Sequence, residues 1–434
     1  MKNLKRLCAL MLVFASILFL SENAFAFTDV DSSDYYYKAI TELSSKGIIN
    51  GYADGSFKVY NQITRAEVAA ILAKAFNYDD ASANTSFKDL KAESWAFEPV
   101  MKVVNKNIMS GVGDGFFKPQ NNIRENELMK IAVSILGLDE YAIKAGAWPN
   151  GYRNVAQDIG IYSFAGDGSK FFNRGEVALI VHNILTYKEL MNADESKGLV
   201  LGGKNCYIGM SSSEFGSPDE VLNSKYKDAS WYVYGTGDYD NFYAVLVKND
   251  LAIGFLSSGN GFKYKNYKAG DTTSEDIAEL DTDKNDGNII HALYYVPKSV
   301  DYDQDKNDYS GEEKINFHLV NAFRKFHGLN TLRWDEILAE TARRHSDDML
   351  KKGYFSHINL EGKSPFDRMQ DMGITYYSAA ENIAYNYGDG YGSYVAWVNS
   401  KGHRKNILNS SYNTLGVGIA CDGSLYATQN FIGR

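Results

Sequence analysis

Apolar residues recur at helical spacing in three places within the first 190 residues: Val68, Ile71, Leu72 and Ala75; Leu128, Ile131, Val133 and Ile135; Val177, Ile180, Val181 and Ile184. This predicts three helices, each with one buried face. Thr64 and Asn173 stand as N-caps before the first and third, with Glu67 and Glu176 at capping-box spacing. Shorter amphipathic stretches come earlier, at Ala39, Ile40 and Leu43, and at Val100, Val103 and Val104. From about residue 199 to 297 the texture turns to strands and glycines. Residues 242–247 and 251–256 flank Asn249-Asp250 and predict a β-hairpin; Trp231-Tyr232-Val233-Tyr234 and a Gly216-Ser217-Pro218 turn precede it. Helical spacing then returns. Ile315, Leu319, Val320, Phe323 and Phe326 predict a helix over 312–327. Ile337, Leu338, Ala342, Met349 and Leu350 predict another over 335–352, closed by Gly353. A helix over 391–400 follows, and then strands over 415–421 and 425–431 joined at Asp422-Gly423, a hairpin signal.

The first region is repetitive. Phe27-Thr28-Asp29-Val30 recurs as Phe87-Lys88-Asp89-Leu90, each followed by aromatics (Tyr35 to Tyr37, Trp95) and by an Asp-Gly turn at Asp54-Gly55 or Asp114-Gly115. Ile63-Thr64-Arg65-Ala66-Glu67 opens the long helix of the first copy and Ile123-Arg124-Glu125-Asn126-Glu127 that of the second. A third copy is legible from Trp148-Pro149-Asn150-Gly151-Tyr152, a shortened turn at Asp167-Gly168, and Asn173-Arg174-Gly175-Glu176. The pattern resembles the S-layer homology family. The resemblance implies an all-α pseudo-trimer with repeats over 27–78, 85–140 and 141–190, binding an anionic, often pyruvylated, secondary cell-wall polysaccharide. Arg65 and Arg174 match the family's binding arginine. A guanidinium at a helix start can take a carboxylate bidentately, and the helix N-terminus adds partial positive charge. The alternative for each arginine is a brace to the neighbouring repeat through an ion pair. Glu125 replaces the arginine in the second copy and would repel an anion unless Arg124 swings in, so three intact grooves are not expected.

The C-terminal 120 or so residues hold a second set of motifs: Arg343-Arg344-His345-Ser346-Asp347-Asp348-Met349, Phe355-Ser356-His357, Glu381-Asn382-Ile383-Ala384, and Trp397-x-x-Ser400-x-x-His403-Arg404. They resemble the CAP superfamily of cysteine-rich secretory, antigen 5 and pathogenesis-related 1 proteins, in its bacterial branch. Over 311–434 this implies an α-β-α sandwich (the CAP fold) with an open cleft. His357, Glu381 and His403 are the cleft candidates that the resemblance carries over. His357 and His403 would ligate Zn²⁺ or another divalent cation, with Glu381 orienting a ligand or water. Ser400 occupies the place of the family's second acid, and Ala380 that of a glycine. The alternative is a hydrogen-bonded His/Glu network that stiffens the cleft. His345 reads as buried, and His182, His291, His318 and His327 as background. The β-rich region over 199–298 is loosely similar to a domain that precedes bacterial CAP modules and is assigned no chemistry. Asp281-x-Asp283-x-Asn285, and Asp301-x-Asp303-x-Asp305 with Glu312, lack the glycine that an EF-hand loop needs at its sixth position. They read as solvated acidic segments, with 299–310 as a linker.

Bulk properties narrow the setting. The 434 residues allow roughly three domains. Lys2, Lys5 and Arg6, an apolar run over 7–20 and Ala24-Phe25-Ala26 form a secretory signal over 1–26, with a run shorter than the ~20 residues of a membrane span. No transmembrane helix is therefore expected in the mature chain. A net charge of −9 argues against nucleic acid. Cys8 leaves with the signal, and Cys206 and Cys421 are read either as one disulfide or as two thiols. There is no G-x-S-x-G, no H-E-x-x-H and no cysteine placed beside a histidine; Ser356 next to His357 is not a nucleophile–base pair. The leading expectation is a secreted cell-wall or S-layer surface protein displaying a CAP domain whose ligand is a lipid, peptide or glycan. A metal-assisted hydrolase acting on peptide or wall material and a structural S-layer component are the alternatives.

Overall fold

The computed structural model describes residues 27–82, 86–163, 166–191, 198–297, 300, 302 and 308–434. The expected signal, with Cys8, lies outside them, as do Asp301, Asp303 and Asp305 of the expected linker. The described chain forms two compact units that divide near residue 188.

In the N-terminal unit, α1 (Tyr37–Ser45) and α2 (Arg65–Ala75) form the first repeat, and α3 (Phe97–Asn105) and α4 (Glu125–Ile135) the second. The third contains α5 (Asp139–Lys144), α6 (Asn150–Asp158) and α7 (Arg174–Met191). The capping boxes form: Thr64 N–H donates to Glu67 Oε2 at 2.8 Å and Asn173 N–H to Glu176 Oε2 at 2.9 Å. Just ahead of the three long helices, the wholly buried Ile63, Ile123 and Phe172 close a ring. Ile63 N–H donates to Phe172 O (3.3 Å), Phe172 N–H to Ile123 O (3.2 Å) and Ile123 N–H to Ile63 O (3.0 Å). Each repeat thus supplies one donor and one acceptor, satisfying buried backbone groups around a pseudo-threefold axis.

The C-terminal unit is layered. An antiparallel six-stranded sheet has the order β3 (Glu220–Asn223), β4 (Ser230–Tyr234), β5 (Tyr243–Lys248), β6 (Leu251–Ser258), β10 (Ile289–Tyr295), β9 (Leu280–Asp283). A small sheet of β1 (Leu199–Leu201), β2 (Lys204–Cys206), β7 (Phe262–Tyr264) and β8 (Tyr267–Lys268) accompanies it. The helices α8 (Ser310–Phe326) and α11 (Gly390–Val398) come next. Beyond them lies a sheet ordered β11 (Arg333–Trp334), β13 (Thr414–Asp422), β14 (Ser424–Gly433), β12 (Ser378–Tyr385), covered on its far face by α9 (Glu336–Lys352). The last three layers are the α-β-α sandwich. The middle region is not a separate bead, because one hydrophobic cluster joins Trp231, Phe242 and Leu256 to Leu319, Phe323, Trp397 and Phe431. Helix α8 is accordingly buried on all sides, as a helix between two layers must be.

The close seat of α9 on β13 depends on Gly416 and Gly418, where a Cβ would run into the backbone of Ala339 and Arg343. Gly418→Ala is expected to lower unfolding free energy by about 3 kcal/mol in urea titrations, because helix and sheet must separate to accept it; a loss below about 1 kcal/mol would contradict this packing. Two expectations fail here. Ile337 is 54 % exposed instead of facing inward. Asp281, Asp283 and Glu312 are not solvated: Tyr391 Oη donates to Asp281 Oδ2 at 2.6 Å, Asp283 ends β9 almost fully buried, and Glu312 is buried on α8. Cys206 and Cys421 are free thiols.

Candidate functional site

At the N-terminal unit the family-type arginines turn inward. Arg65 is buried; its Nε donates to Phe117 O at 3.0 Å, Nη2 to Ser110 O at 2.8 Å and Nη1 to Glu127 Oε1 at 2.6 Å, all in the next repeat. Arg174 repeats this against the first copy. Its Nε donates to Phe57 O at 2.9 Å and Nη2 to Asn50 O at 3.0 Å, with Nη1 at 3.5 Å from Glu67 Oε1. The first helical N–H groups are likewise taken by protein: Arg65 N–H by Asn121 O, Ala66 N–H by Pro119 O, Arg174 N–H by Asn61 O and Gly175 N–H by Val59 O. Each arginine is therefore a brace that also forms one wall of a groove.

The two grooves are alike. One, of about 370 Å³, is lined by Arg65, Ser110, Glu127, Lys130 and Trp148 among others; the second, of about 150 Å³, by Asn50, Glu67, Lys74, Trp95 and Arg174. Trp95 and Trp148 are both more than half exposed. The third junction differs. Glu125 is buried, which pushes its carboxyl up, and it accepts from Arg153 Nε at 2.9 Å; Arg153 Nη2 also donates to Gly166 O at 2.6 Å. The missing guanidinium is thus returned from the receiving repeat. Arg124 does not swing in; its Nη1 donates to Ser169 O and its guanidinium lies over the Phe171 ring. Lys170 and Tyr162 complete this junction by binding Glu176.

The C-terminal cleft lies where β12, the loop after α9, α10 (Pro365–Asp371) and α12 (Lys401–Ile407) converge. Glu381 on β12 is buried and held on both oxygens. Arg368 Nη2 donates to Oε2 at 2.6 Å, and His357 Nδ1–H to Oε1 at 2.9 Å. Arg368 Nη1 also donates to His357 O at 2.9 Å, so one cation fixes both the carboxylate and the histidine loop. The Ser364 capping box, with Pro365 in the first turn, sets α10 to make that reach. His345 is buried as expected: Nε2–H donates to Ser356 O at 3.0 Å, and the ring lies 4.0 Å from Glu381 Oε1. His403 on α12 is half-buried; desolvation and the neighbouring His357 push it below the ordinary imidazole range, leaving it neutral near pH 7. Asn382 Nδ2 donates to His403 O (3.2 Å) and Asn406 Nδ2 to Asn382 Oδ1 (2.8 Å), tying α12 to β12. Ser400 is the N-cap residue of α12.

These residues fit a divalent cation. With Nδ1 held by the Glu381 carboxylate, His357 has Nε2 as its remaining ring nitrogen, the arrangement of metal-ligating histidines. Glu381 holds the Nδ1 side of His357, so it stands behind the imidazole and away from Nε2.

Three histidines read as background sit instead on the seam between the six-stranded sheet and the CAP layers. His318 Nε2–H donates to Glu220 Oε2 at 2.9 Å and receives Tyr239 Oη on Nδ1 at 2.8 Å. His291 is wholly buried with Nδ1 at 3.0 Å from Tyr394 Oη. His327 gathers with Asp283 and Asp286, their ligand atoms within 4.8 Å of one another, a group with the donor set of a metal site. Sequence reasoning also missed Arg368 and Arg153. The first was signalled only by its place in a capped helix, and the second by nothing local.

Taken together, fold and cleft define a CAP-type sandwich carried on a bundle of S-layer homology repeats. The chain belongs to the Cysteine-rich secretory protein family, which matches residues 317–431, and it carries S-layer homology domains matched over 26–69 and 86–127. It is 32% identical over 280 residues to the "Uncharacterized membrane protein YlbC" of Bacillus subtilis, covering 51% of this chain and 80% of that one. It is 30% identical over 197 residues to a "Cell surface protein" of Thermoanaerobacter kivui, covering 43% of this chain and 25% of that protein. A crystal structure of an extracellular protein containing an SCP domain from Bacillus anthracis aligns with TM-score 0.46 and 24% identity, covering 52% of this chain and 94% of the other. The chain is therefore a surface-layer-associated protein with a CAP domain. No helix among the described residues is long and apolar enough to cross a membrane.

Proposed function

We propose that the protein is held non-covalently on the cell wall by an anionic, pyruvylated polysaccharide seated in the Arg65 and Arg174 grooves, and displays the CAP cleft outward to a ligand. The observation that carries this is the repetition of one set of groups, a buried arginine beside a half-buried glutamate, a lysine and an exposed tryptophan, in two grooves of the same bundle. Lysine supplies charge for an acidic sugar, and the indole supplies an apolar face for a pyranose ring. The third junction, closed by Glu125 with Arg153 and by Lys170 with Glu176, is not a binding groove in this reading.

Sedimentation of the full chain with purified walls tests it. Trp95→Ala with Trp148→Ala is expected to reduce the wall-bound fraction at least tenfold at unchanged melting temperature, and removal of the polysaccharide to do the same to the wild type. Full retention of binding by the double variant would overturn the groove assignment.

At the cleft, the pairing of His357 Nδ1 with Glu381 beside a neutral His403 favours a divalent cation such as Zn²⁺ on His357 and His403. When bound, such an ion would polarise a ligand carbonyl or phosphoryl group. This chain's residues would orient that ligand, with Glu381 and Arg368 fixing the imidazole. This favours a binding protein over a hydrolase, since Glu381, the cleft carboxylate, is already paired with Arg368 and His357.

A further inference from the structure

Asp283 closes β9, and Asp286 stands on the tight turn to β10, whose backbone folds back on Asp283 O through Asp286 N–H (3.1 Å) and Asn288 N–H (3.0 Å). His327 is the C-cap of α8, on the other side of the seam. Two features of this meeting point to a shared ion. First, His327 Nε2 is shielded from solvent and forms no hydrogen bond among the described residues, and carboxylate oxygens of Asp283 and Asp286 lie within 4.8 Å of a ring nitrogen of His327. Donors around one zinc-sized cation, with bonds of about 2.0–2.2 Å, stay roughly 3–4 Å apart. Second, Asp283 already has its outer partners: Arg404 Nε and Nη2 each lie 2.7 Å from Oδ2, and Asn285 N–H donates to Oδ1 at 3.0 Å. Arg404 Nη2 also reaches to 3.6 Å from Asp286 Oδ2. A carboxylate oriented from outside in this way is the usual support of a metal ligand. Two carboxylates against one guanidinium leave the cluster net negative.

We propose that Asp283, Asp286 and His327 bind a divalent transition cation of the zinc class, distinct from the cleft, which pins the six-stranded sheet to the CAP layers. One imidazole with two carboxylates suits Zn²⁺ or Mn²⁺ better than Ca²⁺, which takes oxygen ligands alone. The ion also bears on the cleft from behind. The same turn grips the α11–α12 corner, with Asn285 Nδ2 donating to Val398 O (3.0 Å) and Lys284 N–H to Asn399 Oδ1 (2.9 Å), and Arg404 directly follows His403.

The test is calorimetric titration of Zn²⁺ alone into the chelator-stripped full chain, without a histidine tag, and in a His357→Ala background that removes the cleft site. In that background one Zn²⁺ per chain is expected to remain, with a melting temperature that climbs with zinc concentration. Adding Asp286→Asn or His327→Gln is expected to weaken that site at least tenfold, while circular dichroism and the zinc-free melting temperature confirm the fold. Zinc affinity unchanged by both added substitutions would overturn the proposal, as would no zinc binding in the His357→Ala chain. Calcium binding as tight as zinc would overturn the assigned class of ion.

Discussion

Arg65→Ala is expected to destabilise the N-terminal unit by about 3–5 kcal/mol, as measured by chemical denaturation, and to abolish wall binding as a consequence. The guanidinium is buried and bonded to two carbonyls and a carboxylate of the neighbouring repeat. Truncation leaves Ser110 O and Phe117 O short of a donor and Glu127 short of its cation, and breaking a buried pair by removing one partner costs several kcal/mol. Arg65→Lys should recover less than half of the loss, because an ammonium cannot serve three acceptors in the plane that a guanidinium does. Arg174→Ala should cost less, since its carboxylate partner stands farther off at 3.5 Å. A loss under 1 kcal/mol for Arg65→Ala would show that the repeats do not depend on this brace.

The second large effect lies at the seam. Lys225→Met is expected to cost about 3–5 kcal/mol in the C-terminal unit at pH 7. The ammonium pairs with Asp389, which also accepts Gly392 N–H at the start of α11, while Glu312 accepts Lys225 N–H at 3.4 Å and Gly390 N–H at 3.2 Å. All three charged side chains are buried. Desolvation and then Asp389 push the Glu312 carboxyl up, and Lys225 opposes them. A carboxyl raised in the folded state favours folding fully below its unfolded pKa and loses that contribution as pH rises through the folded value. Removing Lys225 raises it further, so the penalty of the variant should be largest near pH 8 and shrink steadily toward pH 5. Urea titrations across that range check this; a penalty independent of pH would mean that the cation does not compensate these carboxylates.

Local pattern carried the helices and hairpins. Val68 to Ala75, Leu128 to Ile135 and Val177 to Ile184 became α2, α4 and the first half of α7; Asn249-Asp250, both at positive φ, and Asp422-Gly423 turn the two expected hairpins. Glu381 and His357, taken from the CAP resemblance, do meet. What escaped was every feature whose partner lies far along the chain. On α8, Glu312, Glu313, Asn316, His318, Asn321 and Arg324 stand off the apolar positions that predict the helix, yet all are buried, because the six-stranded sheet and its neighbours supply their partners. Arg324, for example, donates to Asn330 O, Ile407 O and Asn409 O. Glu125 looked like a lost binding group because its complement, Arg153, follows no spacing rule. Arg368 was invisible for the same reason.

Anchorage through two grooves can be read from calorimetric titration of the full chain with a purified, pyruvylated wall-polysaccharide fragment of defined length. Two sites per chain are expected, one lost in Trp95→Ala and the other in Trp148→Ala, with both weakened when the pyruvate carboxylate is removed. Three sites, or an affinity indifferent to both tryptophans and to the carboxylate, would contradict it.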